Sequence, residues 1–342
     1  MLEQGIEVEA LHFTTVFCRC GGGADSCGAS LKTLADNFKI KIKNINNTLS
    51  MLEIIKKPKH GYGKNMNPCI DCRINMLKAA KKYMAESGAS FLVTGEVLGQ
   101  RPMSQHLRSL NKIEKETGLQ GLILRPLSAQ LLDPTIPEKN KWVDRDKLLK
   151  ISGRSRKEQI AMWHSGKEAW NFEKDYPCPA GGCLLTDINY SALLEDLMEH
   201  TPDFALNDIL LLGIGRHFRL NDKVKLIVGR KEKENQTLEN LARPDDQLLL
   251  AADFVGPVSL LRGPFKEEEI QLSAAITARY ADTEDKAKGN PPHQYIGVGV
   301  KIEVRKDGSI EFLNNIVPLT DSEINIYRIN SPQRHKEHKV EK

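Results

Sequence analysis

The chain has 342 residues, of which 40% are hydrophobic and 27% charged, and its formal net charge is +4. It is long enough for two domains, and the mild positive charge permits nucleic-acid binding without demanding it. Seven cysteines, an odd number over such a length, exclude a disulfide scaffold, and no apolar run approaches a membrane span. We therefore expect a cytoplasmic protein with no membrane partner, in which clustered cysteines serve metal binding or catalysis.

Strands and helices alternate in the first part of the chain. Strands are predicted at residues 6–13, 39–46 and 90–94, and helices at 29–38 and 70–87. This order predicts an α/β fold with a doubly wound parallel sheet, which binds ligands at the carboxyl ends of its strands.

The alternation of strands and helices weakens after about residue 100. Beyond residue 187 the predicted elements are a mixture of helices and strands, including a hairpin around Asp307-Gly308. Prolines interrupt the intervening stretch, in which a short helix is predicted at 156–163. The predicted domains are an α/β domain at 1–135, a connecting region at 136–188 that carries Cys183, an α+β domain at 189–330, and a disordered tail at 331–342.

Two cysteines open the second predicted helix. Asn67 is a good N-cap and Pro68 suits the first helical position, so Cys69 and Cys72 are expected on one face of the first turn. Backbone N–H groups and the helix dipole favour an anion there, which predicts lowered thiol pKa values and a nucleophile or metal ligand. Cys183, far downstream in a Pro-Ala-Gly-Gly-Cys motif, would supply a third thiolate to the same site.

Two basic clusters each follow a glycine and mix arginine with other hydrogen-bond donors. They are Arg154-Ser155-Arg156-Lys157 and Arg216-His217-Phe218-Arg219. The predicted phosphate contacts are therefore Arg154, Arg156, Arg216 and Arg219.

Several motifs together resemble a known family. They are Asn67 to Cys72, Phe91 to Gly95, Gly99 to His106, Leu124 to Leu127 and Ala180 to Thr186. This set resembles the PP-loop sulfurtransferases that thiolate tRNA, in particular the tRNA-specific 2-thiouridylases and their relatives near the 4-thiouridine synthases. Downstream, Gly215 to Leu220 and Ile227 to Arg230 resemble the small RNA-binding domain of fibronectin-binding-type ribosome-associated proteins.

The resemblance implies an adenine nucleotide alpha hydrolase-like fold and an enzyme that uses ATP and magnesium to adenylate a uridine oxygen before sulfur displaces AMP. It implies that Cys72 is the nucleophile and that Cys183 carries the persulfide. Cys69 stands where many two-cysteine members have aspartate, so the three cysteines match the members that hold a 4Fe-4S cluster. By the same matching, the nucleotide-binding residues are Thr94 and Gly95, and the tRNA-binding residues of this domain are Met103, Ser104 and Gln105. The implied partners are tRNA and a sulfur donor of unknown identity.

The family's Ser-Gly-Gly-x-Asp-Ser phosphate loop is not in its usual place. Met1 to Gly5 is predicted to be the tail of the first helix and residues 6–13 the second strand, so we expect the first strand and loop upstream of Met1, in an N-terminally truncated fold. Residues 21–26 resemble the loop without its first serine. A short Gly-rich pattern is specific only between a strand and a helix, and this segment stands well past the strand end.

Alternative interpretations of the cysteines remain open at this stage. Zinc would suit Cys18, Cys20 and Cys27 together with His12, or else the pair Cys69 and Cys72 together with Cys178 and Cys183. With its phosphate loop lost, the chain would be a non-catalytic RNA-binding protein with a structural metal site. A third alternative is a PP-loop enzyme that acts on a small amide or carboxylate.

Overall fold

The computed structural model describes residues 1–19, 27–166, 182–282 and 299–329. The Gly-rich segment 21–26, Cys20, Cys178 and the tail 331–342 lie outside the described residues, as does the side chain of Cys27. The chain divides into two compact units, Met1–Asp187 and Ile188–Lys342. The connecting region predicted at 136–188 falls in the first unit up to Asp187, and Ile188 begins the second unit.

The first unit alternates strands and helices, which confirms the α/β class. Its elements are β1 (Glu9–Thr14), α1 (Cys27–Phe38), β2 (Lys41–Asn46), α2 (Thr48–Lys56), α3 (Cys69–Ser87), β3 (Leu92–Val93), α4 (Leu107–Thr117), β4 (Ile123–Leu124), α5 (Ile136–Lys139) and α6 (Lys157–Gly166). Helix α2, which the sequence analysis did not predict, buries Met51, Leu52 and Ile55. These positions lie on one helical face.

The doubly wound parallel sheet is not confirmed. In the described part of the chain, the parallel strands form two separate two-stranded pairs, β1 with β2 and β3 with β4. No residue of β1 is buried, and Val93 of β3 is 43% exposed. A central strand of a doubly wound sheet is covered on both faces, so these two strands have the burial of edge strands.

The packing of α3 against α4 and β4 forms a core of the first unit. Ile74 and Leu77 of α3 meet Ile113 of α4 and Ile123 of β4, all of them buried. A second cluster forms around Leu124 at the end of β4. Together these contacts fix the beginning of α3 beside the carboxyl ends of β3 and β4.

The second unit contains a six-stranded antiparallel sheet with the strand order β10-β9-β7-β8-β6-β5. Its elements are α7 (Ile188–His200), α8 (Leu206–Leu212), β5 (Arg216–Arg219), β6 (Lys225–Val228), α9 (Glu232–Leu241), β7 (Gln247–Ala251), β8 (Val258–Arg262), α10 (Glu267–Arg279), β9 (Val300–Lys306), β10 (Ser309–Ile316) and α11 (Asp321–Tyr327). The predicted hairpin is present, and its turn residues Asp307 and Gly308 have φ values of 50° and 79°. Positive φ at both positions is typical of a type I′ turn.

Helices pack on both faces of this sheet. Because side chains alternate along each strand, neighbouring residues contact helices on opposite faces. Leu226 and Val228 of β6 belong to the cluster formed with α10, whereas Ile227 belongs to the cluster formed with α8 and α9. Because neighbouring residues of a strand point to opposite faces, the fully buried β6 is apolar at consecutive positions.

Candidate functional site

Four free cysteines of the first unit come together at the beginning of α3. Cys69 is the first residue of α3 and Cys72 lies one turn later, while Cys183 precedes the short 3-10 helix Leu184–Thr186. The fourth is Cys18, shortly after β1. A negative charge on Cys183, Cys69 or Cys18 raises the pKa of Cys72, so all four thiols lie within electrostatic reach.

Cys18 is the cysteine that the sequence analysis did not assign to this site. It forms an isolated antiparallel bridge with Cys183. Two backbone hydrogen bonds flank the bridge: Leu184 N–H donates to the Phe17 carbonyl at 2.8 Å, and Arg19 N–H to the Gly182 carbonyl at 3.3 Å. Its expected companion His12 instead lies 3.0 Å from Asn44, measured from Nδ1 to Oδ1. No spacing in the sequence relates Cys18 to Cys183.

Helix α3 begins one residue later than the motif predicted. Pro68, and not Asn67, occupies the N-cap, and it offers no side-chain cap. The Asn67 side chain is engaged elsewhere, because the Cys69 thiol donates to Asn67 Oδ1 at 3.0 Å. The amide oxygen that would have capped the helix thus holds a thiol of the site.

The expectation of lowered thiol pKa values is wrong for this site. Burial raises the pKa of Cys69, raises that of Cys72 to about 12, and raises that of Cys183 to about 11. Repulsion between the thiolates adds to this effect at Cys72 and Cys183, and the charges of Arg73 and Arg101 only partly oppose it. The raised pKa values keep these thiols protonated at neutral pH.

Arg101 is a second residue of the site that the predicted set omitted. Its charge lowers the pKa values of Cys69 and Cys183, and its side chain is exposed. The loop that carries it is closed by Gln105, whose Oε1 accepts from Arg101 N–H at 3.1 Å. Gln105 and Ser104, predicted to touch tRNA, are buried, whereas Met103 is 37% exposed.

A buried ionic network lies at the carboxyl ends of β3 and β4. Glu96 accepts from Arg73 Nε at 2.7 Å and from Arg125 Nε at 3.0 Å, and Arg125 also contacts Glu114 at 2.5 Å. Burial alone would raise the pKa of Glu96, but the charges of Arg73 and Arg125 outweigh it and hold the pKa below its usual value. Because Arg73 follows Cys72 in the chain, the network also anchors the thiol segment of α3.

The two predicted nucleotide-binding residues stand beside this network. The Thr94 hydroxyl donates to Glu96 Oε2 at 3.1 Å, which engages it inside the protein. Gly95 is exposed, and a Cβ added there would meet no atom within 4 Å. Gly95 therefore borders open space at the carboxyl end of β3, where α/β folds bind ligands.

Thiolates are the donors that iron–sulfur clusters and structural zinc sites use. Among the described residues, no group of three or more His, Cys, Asp or Glu side chains is arranged so that it could hold a metal ion. As they stand, the thiols do not fit a metal, and we derive no chemical step through one. The 4Fe-4S cluster and the zinc site remain predictions.

In the second unit, Arg216 and Arg219 lie in different environments although both belong to β5. Three positions apart on a strand, they point to opposite faces. The Arg219 guanidinium is buried and bonds both oxygens of Asp196, at 3.0 and 2.6 Å. Lys225, also buried, contacts the same carboxylate at 3.3 Å. Arg219 therefore stabilises the interior of the unit.

Arg216 belongs to a partly exposed cluster of cations around Tyr280. Its guanidinium lies 4.4 Å from the ring centroid of Tyr280, and Arg328 donates to the Tyr280 hydroxyl at 3.1 Å. Burial lowers the pKa of Arg216, and the nearby charges of Arg230 and Arg328 lower it further. We call Arg216, Arg230, Arg328 and Tyr280 the arginine–tyrosine cluster. In the first unit, the predicted Arg154 and Arg156 are exposed ahead of α6.

These features define a chain that joins a thiol-bearing α/β unit to a unit with an antiparallel sheet and exposed arginines. Residues 1–133 match the family model described as Thiamine biosynthesis protein (ThiI), and residues 215–328 match the model described as NFACT protein RNA binding domain. The resemblance to the PP-loop tRNA thiolation family and to an RNA-binding domain is thereby confirmed for these residues.

Among solved structures, the chain is similar to the C-terminal of the fibronectin/fibrinogen-binding protein from Streptococcus suis, at 12% identity. That match covers 76% of this chain and 99% of the other, with a TM-score of 0.27, and we base no argument on it. No curated protein matches the chain. None of the described helices is both long and apolar enough to cross a membrane.

Proposed function

We propose that this protein takes part in the ATP-dependent thiolation of tRNA, with Cys72 and Cys183 handling sulfur and the second unit holding the RNA. One observation carries the proposal: cysteines from three distant segments lie near one another, with Cys18 and Cys183 paired through their backbones, in a unit most of which matches the ThiI family model. An RNA-binding domain in the same chain supports tRNA as the partner, in preference to a small amide or carboxylate.

In the proposed reaction, ATP supplies an adenylyl group that converts a uridine oxygen into a leaving group. Gly95 provides space for substrate at the carboxyl end of β3, while Glu96 and Thr94 fix the adjoining backbone. The outer sulfur of a persulfide on Cys183, supplied by a persulfide donor, then attacks the adenylated carbon and releases AMP. The Cys72 thiolate attacks Sγ of Cys183, which releases thiouridine and leaves a Cys72–Cys183 disulfide that a small thiol reduces. Because burial raises the pKa values of both thiols, each must lose its proton before it acts, and Arg101 is a nearby cation that favours the thiolate of Cys183.

The arginine–tyrosine cluster is the proposed RNA contact of the second unit. Cations contact phosphates, and an aromatic ring offers a stacking surface for an unpaired base. Arg219 is excluded from this role by its burial against Asp196. The cluster lies at β5, the last strand of the described sheet, where Arg328 pairs with Phe218 and so stands beside Arg216.

Thiolation is tested by incubating tRNA with the chain, ATP, magnesium, a low-molecular-weight persulfide donor and a reducing thiol under anaerobic conditions. Thiouridine is detected through its retardation in a mercury-containing gel. We expect product from the wild type and none from C72S or C183S. Product formation that survives both substitutions would contradict the roles of the two cysteines. Tight tRNA binding without product from any sulfur source would favour the non-catalytic RNA-binding module.

The RNA contact is tested separately with R216A. Loss of one phosphate contact should weaken tRNA binding about fivefold and reduce the salt slope by about one unit. The matched control is R305A, which removes the same charge from β9, separated from β5 by three strands. Equal weakening by the two substitutions would indicate a general charge effect and remove Arg216 from the proposed contact.

A further inference from the structure

We propose that Cys18 and Cys183 form a reversible disulfide across their antiparallel bridge. The two residues are direct partners in this bridge, although they lie in segments far apart in the chain. Neither the predicted sulfur-handling pair nor the predicted metal ligands of the α3 site include Cys18. It is the only cysteine whose backbone is paired with that of Cys183 among the residues that the structure describes.

The backbone geometry suits a disulfide. The flanking hydrogen bonds, Leu184 N–H to Phe17 O and Arg19 N–H to Gly182 O, make Cys18 and Cys183 a non-hydrogen-bonded pair. In such a pair the Cα atoms are about 4.5 Å apart and the side chains approach closely. Disulfides span Cα distances of about 4.4 to 6.8 Å, so the bond needs rotation of the thiols and no large movement of the backbone.

Both partner segments are fixed by further contacts. Arg19 forms an ion pair with Asp187, which ties the two sides of the bridge together beyond the cysteines. On the Cys183 side, the Thr186 hydroxyl donates to the Cys183 carbonyl at 2.7 Å, and Asn65 Nδ2 donates to the Thr186 carbonyl at 2.8 Å. The backbones of Cys18 and Cys183 are thus held opposite each other before any bond forms.

Exposure decides the order of the chemical steps. Cys18 is exposed, so its thiolate attacks one sulfur of a low-molecular-weight disulfide, whose S–S bond breaks and releases one thiolate. The Cys183 thiolate then attacks Sγ of Cys18, forms the protein disulfide and releases the second small thiolate. The two protein thiols lose two protons and two electrons, and the small disulfide is reduced to two thiols.

The disulfide would withdraw Cys183 from sulfur chemistry until a thiol reduces it. This consequence rests on the proposed function, whereas formation of the bond does not. Reduction frees both thiols again, so the proposed sulfur site is available only in a reducing environment.

The test is disulfide mapping of the full chain after equilibration with mixtures of oxidised and reduced glutathione. Free thiols are alkylated, and the peptides are identified by mass spectrometry without reduction. We expect the Cys18–Cys183 peptide to be the main internal disulfide and to disappear with dithiothreitol. C18S should lower disulfide formation at Cys183 at least tenfold, and the matched control C69S should leave the Cys18–Cys183 peptide in place.

A Cys183 that remains free, or that bonds to Cys72 in preference to Cys18, would overturn the proposal. The tRNA thiolation assay is run on the same reduced samples. If the Cys18–Cys183 bond is mapped but no thiouridine forms, the proposed function is wrong and the disulfide proposal stands. If thiouridine forms but the bond is not found, the disulfide proposal is wrong and the proposed function stands.

Discussion

Replacing Glu96 with glutamine removes one charge from the buried network at the carboxyl end of β3 and keeps the size of the side chain. Wild type balances two carboxylates, Glu96 and Glu114, against two guanidinium groups, and E96Q leaves one positive charge in excess. Arg73 is 26% exposed and can reach water, but Arg125 is only 4% exposed. Breaking a buried pair costs about 3–5 kcal/mol. Since Arg125 keeps Glu114, we expect the lower end of this range, about 3 kcal/mol.

The assay uses a feature of the sequence: all three tryptophans, Trp142, Trp163 and Trp170, precede Ile188, where the second unit begins. Tryptophan fluorescence during urea denaturation therefore reports on the first unit alone. With m values of about 1–3 kcal/mol/M, a loss of about 3 kcal/mol lowers the urea midpoint by roughly 1–3 M. The control E86Q removes a charge from an exposed pair on α3 and should change stability by no more than about 0.5 kcal/mol.

The pH dependence supplies the refuting result. Because the folded pKa of Glu96 lies below its ordinary value of 4.5, its contribution is fully present above that pH and is lost as pH falls through the folded pKa. The stability difference between wild type and E96Q should therefore narrow as the solution is acidified below pH 4.5. A loss under about 1 kcal/mol at neutral pH, or a difference independent of pH, would refute this account of the network.

Three further predictions concern single residues. Only the thiolate reacts with iodoacetamide, so with a pKa of about 12 the alkylation rate of Cys72 should rise about tenfold for each pH unit from about 8 to 10. A rate that levels off below about pH 9.5 would contradict the argument that burial raises this pKa. D196N leaves two buried cations without their carboxylate and should destabilise the second unit by about 3–5 kcal/mol, measured by hydrogen exchange of its sheet, whereas unchanged exchange would refute it. G215A should lower the stability of the second unit by about 2 kcal/mol in the same measurement, because Gly215 has φ +67° and a Cβ would lie 2.4 Å from the Val228 carbonyl oxygen. The control is G213A, at a glycine with φ −79°, and equal destabilisation by the two substitutions would refute the argument from backbone strain.

Local patterns predicted much of the fold. The α/β alternation, the α3 motif and the Asp307-Gly308 hairpin follow from periodicity and turn residues, which act over a few positions. The partition of the parallel strands into two pairs does not follow from such patterns, because strand pairing depends on segments far apart. Helix α2 (Thr48–Lys56) was also not predicted. Only Asn47 separates it from β2, so no loop in the sequence marks where the strand ends and the helix begins.

The candidate site was predictable where spacing alone brings residues together. Cys69 and Cys72 share the first turn of α3, as the motif indicated. Cys18 reaches the other thiols only through tertiary packing, and nothing in its neighbouring residues indicates it. Arg101 lies in the Gly99 to His106 motif, but its proximity to Cys69 depends on the same tertiary packing. The period of two along a strand could have separated Arg216 from Arg219, had the boundaries of β5 been predicted.

The bridge between residues 17–19 and 182–184 also has a consequence for the order of folding. The ion pair across it joins Arg19 and Asp187, which are 168 residues apart in sequence. Closing so long a loop costs entropy that only late, non-local contacts repay, whereas the α3 turn with Cys69 and Cys72 forms locally. We therefore expect the α3 turn to form before Cys18 and Cys183 come together. The complete group of four thiols exists only when residues 17–19 and 182–184 have paired.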